Sequence, residues 1–154
     1  MKLAKLLFLA SWVLLMVLSA GILLASVGSL QVAYSGAQDN LTAEVTFDQL
    51  SSVGGEEAIK AFRGRRVTAA SWAVAYALLS MLVVVIPYRK GARWAWWALL
   101  ISLGLSQFAS LARAVLIGTS VGTGTSGIIL AFLLLGLLAG THRIFGSTPP
   151  PAEG

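Results

Sequence analysis

Four long apolar runs, Leu6–Leu30, Val67–Ile86, Ala95–Ile117 and Gly127–Phe145, fill most of this chain, and their interiors hold almost no ionisable side chain. A hydrocarbon core about 30 Å thick needs roughly 20 helical residues to cross it, so each run is long enough to span. In a soluble domain, four helices that are apolar all round would have to hide one another completely within 154 residues. The runs therefore predict an all-α protein: a four-transmembrane-helix bundle with a short amphipathic helical segment between spans one and two.

Composition supports a single membrane domain over residues 1–146. Only 11% of residues are charged, against roughly a quarter in ordinary soluble domains. The net charge of +5 is spread over chain ends and connections, with no dense basic stripe of the kind that binds nucleic acid. It suits contact with anionic lipid. There is no cysteine and a single histidine, His142, so disulfides, thiol redox chemistry, a paired-histidine haem site and a zinc site are all disfavoured. No cofactor is expected. Lys2 and Lys5 ahead of an apolar run resemble the start of a signal peptide, but the run continues for 25 residues, beyond the usual 7–15. It is expected to remain as a span.

The connection Gln31–Arg66 is the one substantial polar stretch. Gln31 to Asn40 is rich in Gly, Ser, Gln and Asn and reads as loop, with Asn40-Leu-Thr42 a formal glycosylation acceptor. Thr46-Phe-Asp-Gln49 matches a capping box, and Phe47, Leu50 and Val53 recur at spacing three, which predicts a short surface helix ended by Gly54-Gly55. A second short helix, Glu56–Arg63, is expected to lead into span two, with Glu56 and Lys60 paired four apart. Pro87 should stop that span. The short basic turn Tyr88–Arg93 and the adjacent Trp94, Trp96 and Trp97 mark a membrane boundary, where aromatic rings gather. Gly118–Ser126 reads as a flexible loop, and residues 147–154 as a disordered Pro-rich tail.

With the amino end inside, Lys2, Lys5, Arg89, Lys90, Arg93 and Arg143 lie in the cytoplasm, against Lys60, Arg63, Arg65, Arg66 and Arg113 outside. Two lysines at the start of the first run, and no basic residue between Leu30 and Lys60, favour that orientation, with both termini cytoplasmic. Small residues mark candidate packing seams, because lipid gives helices no hydrophobic reward for association and close backbone approach must supply it. They are Gly21 and Ala25 in the first span, Ala69, Ala73, Ala77 and Ser80 in the second, and Gly127, Ala131, Gly136 and Gly140 in the fourth.

One span carries a polar face. At 100° per residue, Ser102, Ser106, Ser110 and Arg113 fall within an arc of about 80° on span three, with Gln107 at its edge. These five are the candidate binding residues. Interhelical bonding with snorkelling of Arg113 is one reading, and a ligand or solute path along the face is the other. No Asp or Glu lies within any span, which removes proton-coupled exchange through a membrane carboxylate. Paired carboxylates, a histidine-assisted nucleophile and phosphate-cradling motifs are missing from the spans too, so no catalytic residues are assigned.

The segment from Arg63-Gly-Arg-Arg66 through Pro87-Tyr-Arg-Lys-Gly-Ala-Arg-Trp-Ala-Trp-Trp97 resembles small bacterial four-helix membrane proteins of the DoxX-like type, over about half the chain. The resemblance implies a four-helix bundle and no particular activity. The expectation is a non-enzymatic accessory or assembly partner in a prokaryotic cytoplasmic membrane, in contact with lipid and with a membrane-protein partner or a second copy. The alternative is a small permeation or lipophilic-ligand-binding protein that uses the polar face.

Overall fold

The computed structural model describes residues 2–35, 47–118 and 122–146. Four helices account for nearly all of them: α1 (Lys2–Ser35), α2 (Phe47–Val83), α3 (Arg93–Ile117) and α4 (Thr123–Phe145). Each is long and apolar enough to cross a membrane, so the chain is an integral membrane protein of the all-α, four-helix kind. α1 packs along α2 and α4, and α4 packs along α3. α2 and α3 touch little, near the turn that joins them, and otherwise stand apart.

The helices overrun the spans expected from the sequence. α1 has 34 residues, about 51 Å at 1.5 Å per residue, and takes in residues 31–35, which the composition marked as loop. Gln31 and Ser35 do not break a helix that already has its turns in place, since propagation costs far less than nucleation. Likewise residues 123–126 belong to α4, which shortens the expected Gly118–Ser126 loop. The Thr46 capping box, the Asn40 acceptor and the Pro-rich tail lie outside the described residues.

α2 begins with the short helix expected around Phe47–Val53, and Gly55 breaks it with φ 62° and ψ −164°. That region of backbone space is open essentially to glycine alone. Beyond Gly55 no second break occurs, so Glu56–Arg63 and span two form one continuous rod. Lys60 lies 3.2 Å from both Glu56 and Glu57, an exposed cluster of small energetic weight.

Pro87 does not stop the helix at Ile86. The last turn widens into a π turn, Val84–Tyr88, in which the Arg89 amide donates to Val84 O at 3.2 Å. A proline has no N–H to give and its ring collides with the carbonyl four residues back. A wider turn moves that carbonyl aside. The chain then reverses through Gly91, whose φ of 81° suits glycine, and the Gly91 amide bonds Tyr88 O at 2.8 Å.

The buried line of each helix shows which seams hold. α4 turns Leu133, Gly136, Leu137, Gly140 and Ile144 inward, so the Gly136–Gly140 seam is present, while Ala131 is exposed and Gly127 has no neighbour where a side chain would begin. In α2 the buried residues are Ala70, Ala77 and Ser80, followed by Val84 of the π turn. Of the expected stripe, Ala77 and Ser80 are buried and Ala73 half-buried, while Ala69 is exposed and its neighbour Ala70 takes the inner place. In α1 the expected Gly21 and Ala25 are exposed. The inner line runs instead through Phe8, Ser11, Leu15, Ser19 and Ser26.

Candidate functional site

The five polar residues of α3 do not form one site. Ser110 turns to α4, where its hydroxyl lies 2.8 Å from that of Ser126. Arg113 follows it, half-buried, with its guanidinium beside Gly122 at the start of α4. These two tie the α3–α4 hairpin together at the end remote from the basic turn. Ser102, Ser106 and Gln107 face the other way, toward α2.

There the divergence of α2 and α3 leaves a groove of about 530 Å³, open on one side. Tyr76 and Trp72 of α2 form one wall, Ser102, Ser106 and Gln107 the other, and Ile22 of α1 contributes to the lining. The Tyr76 hydroxyl is buried and makes no hydrogen bond, although Ser102 and Ser106 face it. Ser106 spends its proton on Leu103 O at 3.0 Å, and Gln107 donates to Ser106 Oγ at 3.1 Å. Gln107, which lines the groove, thus bonds within its own helix. Sequence reading found one wall of this groove. It missed Tyr76, whose signal was a tyrosine standing in the middle of an otherwise apolar run.

At the opposite end the helices are locked together. Tyr88 is completely buried and lies against Gly140, so close that a β-carbon there would stand 2.0 Å from its hydroxyl. Ser11 Oγ donates to Gly136 O at 2.5 Å. With that proton committed, the contact between Tyr88 and Ser11 must run from the phenol to the serine oxygen. Two helices, α1 and α4, and the π turn therefore meet in one relay. Around it, Phe8 stacks on Tyr88 with centroids 5.7 Å apart, and Trp96 donates to Leu137 O at 3.0 Å. Arg89, Arg93 and Arg143 lie over Trp12, Phe145 and Phe8 respectively.

Among the described residues no group of three or more His, Cys, Asp or Glu is placed to hold a metal ion. The groove offers hydroxyls, an amide and apolar surface. Such groups can donate and accept hydrogen bonds. No family model, curated protein or solved structure matches the chain.

Proposed function

We propose that this is a non-enzymatic assembly protein of a prokaryotic cytoplasmic membrane, which receives a transmembrane helix of another membrane protein in the groove between α2 and α3. The observation that carries the reading is the hydrogen-bonding capacity left unused in that groove, on Tyr76 and Gln107. Gln107 stands near the midpoint of α3, hence near the middle of the bilayer. At that depth phospholipids present hydrocarbon, their ester and phosphate oxygens lying at the margins. A transmembrane helix is the common membrane component that brings polar groups so deep, and Gln, Ser and Tyr side chains are what such helices bond to. The similarity to DoxX-like four-helix proteins, carried by the Arg63–Arg66 and Pro87–Trp97 segments, agrees with a bundle of this kind.

The orientation belongs to the same proposal. Arg89 and Arg143 lie over Trp12 and Phe8 near the start of α1, Arg93 bonds Ile144 O at the end of α4, and Arg66 reaches Ser29 toward the other end of α1. Arg89, Lys90 and Arg93 sit on a short basic turn, the element most readily retained in the cytoplasm. Both termini are then cytoplasmic.

A second reading rests on the groove's volume of about 530 Å³, which falls in the range of small-molecule sites: a lipophilic ligand with one hydrogen-bonding oxygen. One experiment separates the two. A photo-crosslinking residue at Leu105, an exposed position on the groove, should capture a discrete membrane protein in cells, and Tyr76→Phe with Gln107→Leu should abolish the adduct. Capture of the chain by itself makes the partner a second copy. A small-molecule adduct with no protein adduct replaces the helix with the ligand.

A further inference from the structure

We propose that the helix received between α2 and α3 is recognised by a single neutral amide side chain, Asn or Gln, which enters a recess in the groove wall at the level of Tyr76. The inference rests on the reading of the groove as a helix receptor and names what that helix must carry. Toward the π turn the groove gives way to a smaller, more enclosed space of about 120 Å³. Tyr76 and Ser102 line both spaces and so stand where one opens into the other. Ser80, buried on α2, lines the recess behind them. A space of that size admits a few water-sized groups. That is one amide side chain and not a second helix, whose diameter is about 10–12 Å.

The lining decides the kind of group. No Asp, Glu, Lys, Arg or His lines either space, and Arg113 is turned away to Gly122 at the start of α4. A charged side chain on the incoming helix would lie at mid-membrane with no counter-charge, which is costly. An apolar one would leave the buried Tyr76 hydroxyl without a bond. A hydroxyl is satisfied at home: Ser19, Ser26 and Thr141 each donate to the carbonyl four residues back in their own helix. A serine or threonine on the incoming helix has the same outlet. An amide offers an acceptor and donors on one group. Its oxygen takes the Tyr76 proton, and its N–H groups have the oxygens of Ser80 and Ser102 as acceptors. In lipid alone those groups find no partner, so the amide gains most by entering.

The test uses synthetic transmembrane helices of leucine and alanine that differ only at the central position, which is Asn, Ser or Leu. Each carries an acceptor dye and is added to vesicles holding the full-length protein labelled with a donor, at dilutions where the helix alone is monomeric. Energy transfer should show the Asn helix bound roughly 5- to 30-fold more tightly than the Leu helix, the scale of one interhelical amide bond, and the Ser helix close to the Leu helix. Tyr76→Phe with Ser102→Ala should reduce the Asn helix to the affinity of the Leu helix. Moving the Asn about two turns toward either end, roughly 10 Å, should do the same on the wild-type protein, so the outcome does not depend on the variant folding. Equal binding of the Asn and Leu helices, a Ser helix as tight as the Asn helix, or an Asn advantage that survives the double substitution or the shift overturns the amide rule. The photoadduct at Leu105, on the groove, separates that failure from failure of the receptor. A protein adduct that forms although all three helices bind alike keeps the groove and removes the recess; absence of the adduct as well removes both.

Discussion

Gly140→Ala is the smallest change that tests the packing at the basic end. The added β-carbon would stand 2.0 Å from the Tyr88 hydroxyl, 2.7 Å from Ser11 Oγ and 3.1 Å from Tyr88 Cζ. The phenol cannot swing aside, because it is fully buried and stacked on Phe8. Overpacking a filled site costs about 1–3 kcal/mol. Pushing the phenol away also breaks its bond to Ser11, and bonds of this kind inside membranes average about 0.6 kcal/mol. The expected loss is therefore about 2–3 kcal/mol. Tyr88→Phe removes the atom at 2.0 Å, so in that background Gly140→Ala should cost about 1 kcal/mol. The coupling between the two substitutions, about 1–2 kcal/mol, is large enough to measure in a double-mutant cycle. Unfolding in mixed micelles of increasing SDS content provides the assay. A Gly140→Ala protein as stable as wild type, or strictly additive costs, would refute the contact between Tyr88 and Gly140.

Gly136→Ala should cost less, about 1 kcal/mol, because its new carbon comes no nearer than 3.0 Å to Leu15 Cδ2 and Cγ, a milder overlap than at Gly140; the same SDS titration ranks the two glycines, and the reverse order contradicts the geometry. Gln107→Leu should shift bundle stability by no more than about 0.5 kcal/mol, since Gln107 bonds within α3, while the Leu105 crosslink is lost. Gly55→Ala forces a side chain into a glycine-only conformation at a cost of about 1–3 kcal/mol, and spin-label distances between residues 52 and 68 should change while the unfolding of the four spans does not. A cysteine at Ser52 should react with a membrane-impermeant thiol reagent in intact cells and one at Lys90 should not; the opposite labelling reverses the orientation.

The four spans were legible because hydrophobic run length is a one-dimensional property that any bilayer reads in the same way. The Gly136–Gly140 seam was legible too, although its reason, room for a tyrosine 52 positions earlier, was not. What escaped the sequence depends on rotation and pairing. Ser102, Ser106, Ser110 and Arg113 share an arc on α3, but that arc straddles the line between α2 and α4, so neighbours divide it into two unrelated sets. Ala69 and Ala70 are equally small, and a rotation of 100° decides which is buried. In α1, Ser11, Ser19 and Ser26 recur at near-heptad spacing, a signal present in the sequence and weaker to the eye than glycine. The helix ends were the least legible. Membrane-length patterns say where lipid stops, and α1 and α2 continue past that point.

The relay from Tyr88 through Ser11 bears on how the chain is made. Both residues lie in the first 88, so both are synthesised before α3 begins and have left the ribosome before α4 is complete. A hairpin of α1 and α2 can therefore enter the bilayer with its phenol already bonded, and the translocation machinery need not shield that group while the second half is synthesised. When α4 arrives, the serine proton gains Gly136 O, and Gly140 admits the ring without disturbing it. Assembly of the second hairpin onto the first then adds one bond and breaks none, so the two halves can be inserted separately and joined within the membrane.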